Sequence, residues 1–283
     1  MKQHLVKFLV PFSIMLVTAG CNYDFARLVD DASTAKTALL GVDDAEELKI
    51  GNAAAATLLG AAPMVDDHEL QVYVNRVGTW VAQQSSRPDL RWHFAVIDHP
   101  NINAFAAPGG YVFITKGLLL QLRSEGELAG VLGHEIAHVT RKHHLDAMES
   151  GARWKLVGRA AETHLASKGV DMGDYQWVVN ATKEIYTKGL GRDDELDADR
   201  IGVVLAARAG YDPYGLPAVL QKLDAMQGSS DERLALLFKT HPSPADRLDV
   251  LSQRMGTRLD GLQYSREGED RFRRVVGNAL AQR

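Results

Sequence analysis

The chain of 283 residues has one cysteine, so no disulfide can form within it. It has no basic surplus: the formal net charge is −4, and neither a basic tail nor a basic stripe occurs. That argues against a nucleic-acid partner. No apolar run approaches the ~18 residues that a membrane-spanning helix needs. No segment of 30 to 45 residues repeats, which excludes a solenoid. What remains, 46% hydrophobic and 24% charged residues, is the composition of an ordinary globular protein with ample chain for a core.

Residues 1–20, MKQHLVKFLVPFSIMLVTAG, have the layout of a secretory signal. Lys2 and Lys7 precede the ten-residue, mostly apolar run Phe8 to Val17, and small residues follow. The Ala19-Gly20-Cys21 junction resembles that of a bacterial lipoprotein, in which the cysteine is lipidated and becomes the mature N-terminus. Thr18 departs from the aliphatic residue usual there, and the alternative is a stray thiol beside an ordinary cleavage site. Asn22 in place of Asp, by resemblance to enterobacterial lipoproteins, points to a periplasmic protein anchored in the outer membrane. Residues 21–42 then read as a tether, and 43–283 as the folded domain.

Within that domain the hydrophobic period changes with position. The acidic start and Ala/Leu-rich body from Asp43 onward predict a helix. Leu70, Val74, Val77 and Val81 form an apolar stripe at helical spacing within 67–84. Residues 90–98 alternate and are aromatic-rich, as in a strand. Residues 102–115 read as two short strands joined around Pro108-Gly109-Gly110. Ser124 and Glu127 stand as a capping box at the start of another helix. Amphipathic helices are expected near 153–167 and 174–188, then over 214–227, 231–239 and 244–256, with a charged surface helix in the tail at 266–283. The expected fold is α+β: a mostly helical domain with a small sheet packed over the helix that starts at Ser124.

That helix contains VLGHEIAHVT, residues 131–140. Positions four apart share a helix face, so His134 and His138 can bind one metal ion. Glu135 is rotated by about 100° and stands beside the metal, where a base for activated water belongs. A catalytic zinc takes three protein ligands and leaves a position open. The third candidate is in GRDDELDADRIG, residues 191–202, expected as a helix capped by Asp193 or Asp194. There Glu195 would be the ligand. Asp199, four residues on, would hydrogen-bond the outer nitrogen of a ligand histidine, His134 first among them.

HEIAH, followed 57 residues later by ELDAD, resembles the gluzincin peptidase family of HtpX and the CaaX prenyl endopeptidase, in the lipoprotein branch with LoiP and BepA. The family pattern S-R-x-x-E-x-x-A-D-x-x-G stands here from Gly191 to Gly202, with glycine for the serine. NAFAAPGGYVFITKGLL before the metal helix and THPSPADRL (240–248) after it are also similar, so the likeness covers about residues 45–255. It implies a zincin-like fold, one Zn²⁺ per chain, and hydrolysis of peptide bonds in misfolded or damaged envelope proteins. Glu135 would be the general base. Asn103, Ala104, Phe105 and Ala106 would form an edge strand to which substrate adds. His241 would stabilise the oxyanion or occupy the fourth zinc position, or be a loop histidine without a catalytic role. Arg192 would pair with an acid around the site. His143 and His144, read as lying on the metal helix, are expected in a surface or second layer, and Glu125, Glu127, Asp193 and Asp194 as helix-start charges favoured by the dipole. The main rival is an envelope assembly chaperone with a structural zinc site. A weaker one is a hydrolase of small amides or esters.

Overall fold

Short acidic caps launch the first two helices. In the computed structural model, which describes residues 42–150, 176–227, 231–262, 264 and 267–281, Asp43 caps α1 (Asp44–Ala61) by accepting from the Glu46 N–H at 2.8 Å. Asp67 caps α2 (His68–Ala82) by accepting from the Leu70 N–H at 3.0 Å. The apolar stripe of α2 is buried at Leu70, Val74, Val77 and Val81, as its spacing requires. The expected lipidation at Cys21, the signal segment 1–20, residues 21–41 of the tether and the helix near 153–167 lie outside the described residues. No helix among the described residues is long and apolar enough to cross a membrane.

Three strands follow: β1 (His93–Ile97), β2 (Ala104–Ala107) and β3 (Tyr111–Thr115), in the order β1-β3-β2. β1 runs parallel to β3, and β2 antiparallel to it. The turn between β2 and β3 requires its glycines. Gly109 and Gly110 have φ of 76° and 99°, and a Cβ on Gly110 would sit 2.6 Å from the Arg91 carbonyl oxygen. β2 forms one edge of the sheet and, like β3, packs against the metal-motif helix.

After α3 (Lys116–Leu119), the motif helix α4 (Glu125–Thr140) runs through the middle of the molecule. Ser124 Oγ accepts from the Glu127 N–H at 3.1 Å, but the Glu127 carboxylate reaches back to Arg123 N at 2.7 Å, one residue beyond the cap. Leu128, Leu132 and Ile136 are fully buried. Around α4 pack α2, α6 (Arg192–Arg208) and α7 (Gly215–Met226). The remaining elements are α5 (Gln176–Lys188), which precedes α6, then a 3₁₀ turn (Glu232–Leu234), α8 (Ala235–Thr240), α9 (Pro244–Met255) and α10 (Glu267–Ala281).

Four local expectations are corrected. α6 starts at Arg192 with Gly191 as N-cap, so Asp193 and Asp194 lie in its first turn and do not cap it. α4 ends at Thr140, because Lys142 adopts φ 60°, and His143 and His144 belong to the helical residues beyond. α10 is more than a surface helix: Phe272, Val275 and Val276 are buried, at i, i+3 and i+4 among charged neighbours that mask them in the sequence. Glu125 is buried too, and accepts from Tyr73 Oη at 2.8 Å, Tyr211 Oη at 3.0 Å and Arg271 Nε at 2.9 Å, so it ties α2 and α10 to the start of α4.

α4 and α6 approach through glycines. A Cβ on Gly202 would meet His134 N at 2.7 Å, and one on Gly133 would meet Gly202 O at 2.8 Å. Gly202→Ala must push the helices apart, at a cost of about 1–3 kcal/mol. It should lower the melting temperature and weaken metal binding together, because α6 carries the acids that face α4. A thermal melt beside a zinc titration checks this, and an unchanged zinc affinity would show that the contact does not set the site.

Candidate active site

α4 contributes His134 and His138, 4% and 1% exposed, and α6 contributes Glu195, 1% exposed. The two Nε2 atoms lie 3.1 Å apart. Each lies 3.5 Å from a Glu195 carboxylate oxygen. Nitrogen and oxygen ligands at 2.0–2.1 Å from a tetrahedral zinc would be separated by about 3.3–3.4 Å. The two nitrogens are close to that separation, and each stands near that distance from one carboxylate oxygen, Oε2 for His134 and Oε1 for His138. Glu195 Oε2 is also buried without a hydrogen-bond partner, which suits a carboxylate oxygen reserved for a cation. The residues present fit the metal.

Charge is distributed around the triangle in a definite way. Burial works to raise the pKa of Glu195, but His241, His134 and His138 hold it well below the usual carboxylate range. Burial likewise opposes ionisation of Asp199, which the Arg247 guanidinium and His134 nevertheless hold low. His134 is held up at about 9 against its burial by the facing carboxylates of Asp199 and Glu195. Its Nδ1 lies 2.9 Å from Asp199 Oδ1. A proton on His134 competes with a cation for the same lone pair, so metal uptake should release it. His138 is driven by burial well below its ordinary value and stands neutral, as a ligand must.

Glu135 is 4% exposed, and burial, only partly offset by His134, pushes its carboxyl up to about 7. That is the range in which a carboxylate works as a general base at neutral pH. It lines a cavity of about 20 Å³ together with Asn103, Ala104, Phe105, Tyr186 and His241. The space admits about one water molecule and no peptide side chain. His241, the C-cap of α8, is bonded through Nδ1 to Thr240 Oγ1 at 3.0 Å and has Nε2 3.8 Å from Glu195 Oε2. It faces the site from outside the triangle. The edge strand is present beside Glu135 but is covered: the Tyr186 hydroxyl donates to the Ala106 carbonyl, and the Tyr186 ring stands edge-on to Phe105 at 5.5 Å.

Arg192 does not take the place expected for it. It is exposed at the first turn of α6, with no ion pair among the described residues. The guanidinium beside the site belongs to Arg247 of α9, 5% exposed, whose Nε donates to Asp199 Oδ2 at 2.8 Å and whose Nη2 donates to Asp199 Oδ1 at 2.5 Å. Arg247 lies within THPSPADRL, yet no spacing rule connects it to an acid 48 positions away. His143 is equally hidden in the sequence: its Nδ1 lies 3.0 Å from His138 Nδ1.

The chain is 31% identical over 253 residues to the beta-barrel assembly-enhancing protease of Escherichia coli K12, covering 88% of this chain and 51% of that one. It is 32% identical over 229 residues to the protein of the same name from Yersinia pestis, covering 78% and 46%. It is 32% identical over 190 residues to the mitochondrial metalloendopeptidase OMA1 of Schizosaccharomyces pombe, covering 66% and 53%. The chain thus spans about half the length of the curated relatives it matches. The profile of peptidase family M48 matches residues 68–255, from α2 through both ligand helices to the end of α9, and the chain belongs to that family.

Proposed function

We propose that the chain is a zinc-dependent endopeptidase of the bacterial cell envelope that hydrolyses peptide bonds of misfolded or misassembled proteins. The observation that carries this is the buried triangle of His134, His138 and Glu195 with Glu135 beside it. The envelope role rests on the beta-barrel assembly-enhancing proteases to which the chain is similar. The anchor rests on the sequence alone: residues 1–20 as a signal, Cys21 as the lipidated residue in the outer membrane, and 43–283 as the catalytic domain.

His134, His138 and Glu195 would hold the zinc, which when bound lowers the pKa of water and polarises a carbonyl. Glu135 accepts the proton of the attacking water and returns it to the departing amine. Asp199, steadied by Arg247, holds His134 in the tautomer whose Nε2 lone pair faces the triangle. His241 would donate to the oxyanion or close the fourth position. Substrate adds to β2 as a further strand once Tyr186 gives up the Ala106 carbonyl.

One observation favours the chaperone reading, the small size of this cavity, about 20 Å³. The buried Glu135 favours the peptidase, since a structural site has no use for a base. The purified protein should hold one zinc and degrade casein, lose activity on chelation, and recover it with one equivalent of zinc. His241→Ala raises activity if His241 blocks the fourth position and lowers it if His241 binds the oxyanion. Zinc-loaded protein that cuts nothing, with or without His241, would move the chaperone ahead.

A further inference from the structure

We propose that His143 is a positioning residue of the metal centre: it accepts the Nδ1 proton of His138 and thereby fixes the tautomer that leaves His138 Nε2 free to ligate. The inference rests on the zinc reading above and adds a group to it.

The two Nδ1 atoms are 3.0 Å apart, with the rings at 75° and their centres 5.1 Å apart. His143 is 7% exposed, so solvent does not supply an alternative acceptor of comparable access. A contact between two imidazole nitrogens carries one proton, and the metal decides which ring owns it. If His143 donated from Nδ1, the remaining proton of neutral His138 would sit on Nε2, which points at His134 Nε2 3.1 Å away. That nitrogen could not ligate. His138 must therefore donate, and His143 must carry its own proton on Nε2. That atom faces Asp194 Oδ1 at 3.8 Å, on α6 and next in sequence to Glu195. The two histidine ligands are thus oriented differently, His134 by the Asp199 carboxylate and His138 by an imidazole.

The backbone is bent to make this contact. Lys142 holds φ 60°, a left-handed conformation that is strained for a non-glycine residue. It separates α4 from the helical residues that begin at His143, whose Nδ1 stands against His138 Nδ1. The turn is pinned by Lys142 Nζ, 2.9 Å from Oε2 of buried Glu47, which is also bonded by Arg87 Nη1 at 2.7 Å. A surface histidine in second-layer packing alone needs no such strain.

The test compares zinc affinities of the full chain by competition with a chromogenic chelator, in wild type, His143→Leu and His143→Asn. His143→Leu should bind zinc about 10–100-fold more weakly, the effect expected of an outer partner of a ligand histidine. His143→Asn, whose carbonyl accepts the same proton, should recover most of the loss, and the cobalt-substituted absorption bands should shift for Leu and return for Asn. Equal affinity of His143→Leu and wild type, or no recovery with Asn, would overturn the proposal. Should the Leu variant not fold, imidazole ¹⁵N spectra of zinc-loaded wild type decide: His143 is protonated on Nε2 if the proposal holds, and on Nδ1 if it fails. Wild type that takes up no zinc would sink the peptidase reading itself. Zinc-bound protein indifferent to His143 would sink only this inference.

Discussion

Glu135→Gln is expected to retain one zinc per chain and to lose casein hydrolysis by about 10²–10⁴-fold, the range set by loss of a general base. The amide preserves the shape of the side chain. Glu135 lies outside the triangle of His134, His138 and Glu195, although it forms a second such group with His134 and His241, so metal held by the triangle should survive. The proton transfer should not. The pH dependence follows from the same burial. The Glu135 carboxyl, pushed up to about 7, must be ionised to act, so hydrolysis by wild type should fall as pH drops through an acid limb. Bound zinc, as a nearby positive charge, moves that limb below 7. The metal-free protein gives an opposite sign for stability. A carboxyl with a raised folded pKa contributes stability below its ordinary value of 4.5, and this is lost as pH rises through about 7. Metal-free Glu135→Gln should therefore melt higher than metal-free wild type at pH 8. Zinc content, casein turnover and these two melts check the set. A Gln variant that still cuts would remove Glu135 from the mechanism.

Arg247→Ala should cause the largest loss of stability. Arg247 and Asp199 are 5% and 0% exposed and meet through two nearly parallel hydrogen bonds. Removing the guanidinium leaves a buried carboxylate whose remaining partner is His134. Breaking such a pair costs about 3–5 kcal/mol. For a chain of this size that corresponds to a melting temperature lower by roughly 6–20 °C. Zinc affinity should fall as well, by about 10–100-fold, because Asp199 then orients His134 less firmly. Arg247→Lys should recover only part of both, since an ammonium cannot span the two carboxylate oxygens. Calorimetry with and without zinc measures the two effects separately. A melt of Arg247→Ala within about 2 °C of wild type would mean that water or another cation satisfies Asp199.

The elements that carry the site are legible in the sequence wherever the signal is local. Ser124 caps α4 as its pattern indicates, and the stripe from Leu70 to Val81 is buried as a helical face. His134 with His138, and Glu195 with Asp199, share faces because four residues make about one turn. The errors arose where a second element decided the outcome. The sequence of α10 reads as a surface helix because charges outnumber its three buried apolar residues, and only its partners on α2 and α4 show what they bury. Glu125 reads as a dipole charge because nothing nearby in sequence points to Tyr73, Tyr211 and Arg271. Arg192 stands three residues before Glu195, which suggests a place around the site, but at the first turn of α6 it faces out.

The sequence by itself therefore determined which chemical groups are available and how they are spaced along each helix: two histidines and a glutamate on one, a glutamate and an aspartate on the other. Spacing along a helix is a property of the backbone and needs no knowledge of the fold. Only the tertiary structure decided who neutralises and orients that chemistry. Arg247 reaches Asp199 across 48 positions, and His143 meets His138 through a left-handed turn at Lys142. Gly133 and Gly202 let α4 and α6 come close enough for a triangle of 3.1 and 3.5 Å. These contacts depend on how helices pack against one another. A buried charge takes its partner from whichever side chain the packing brings within reach.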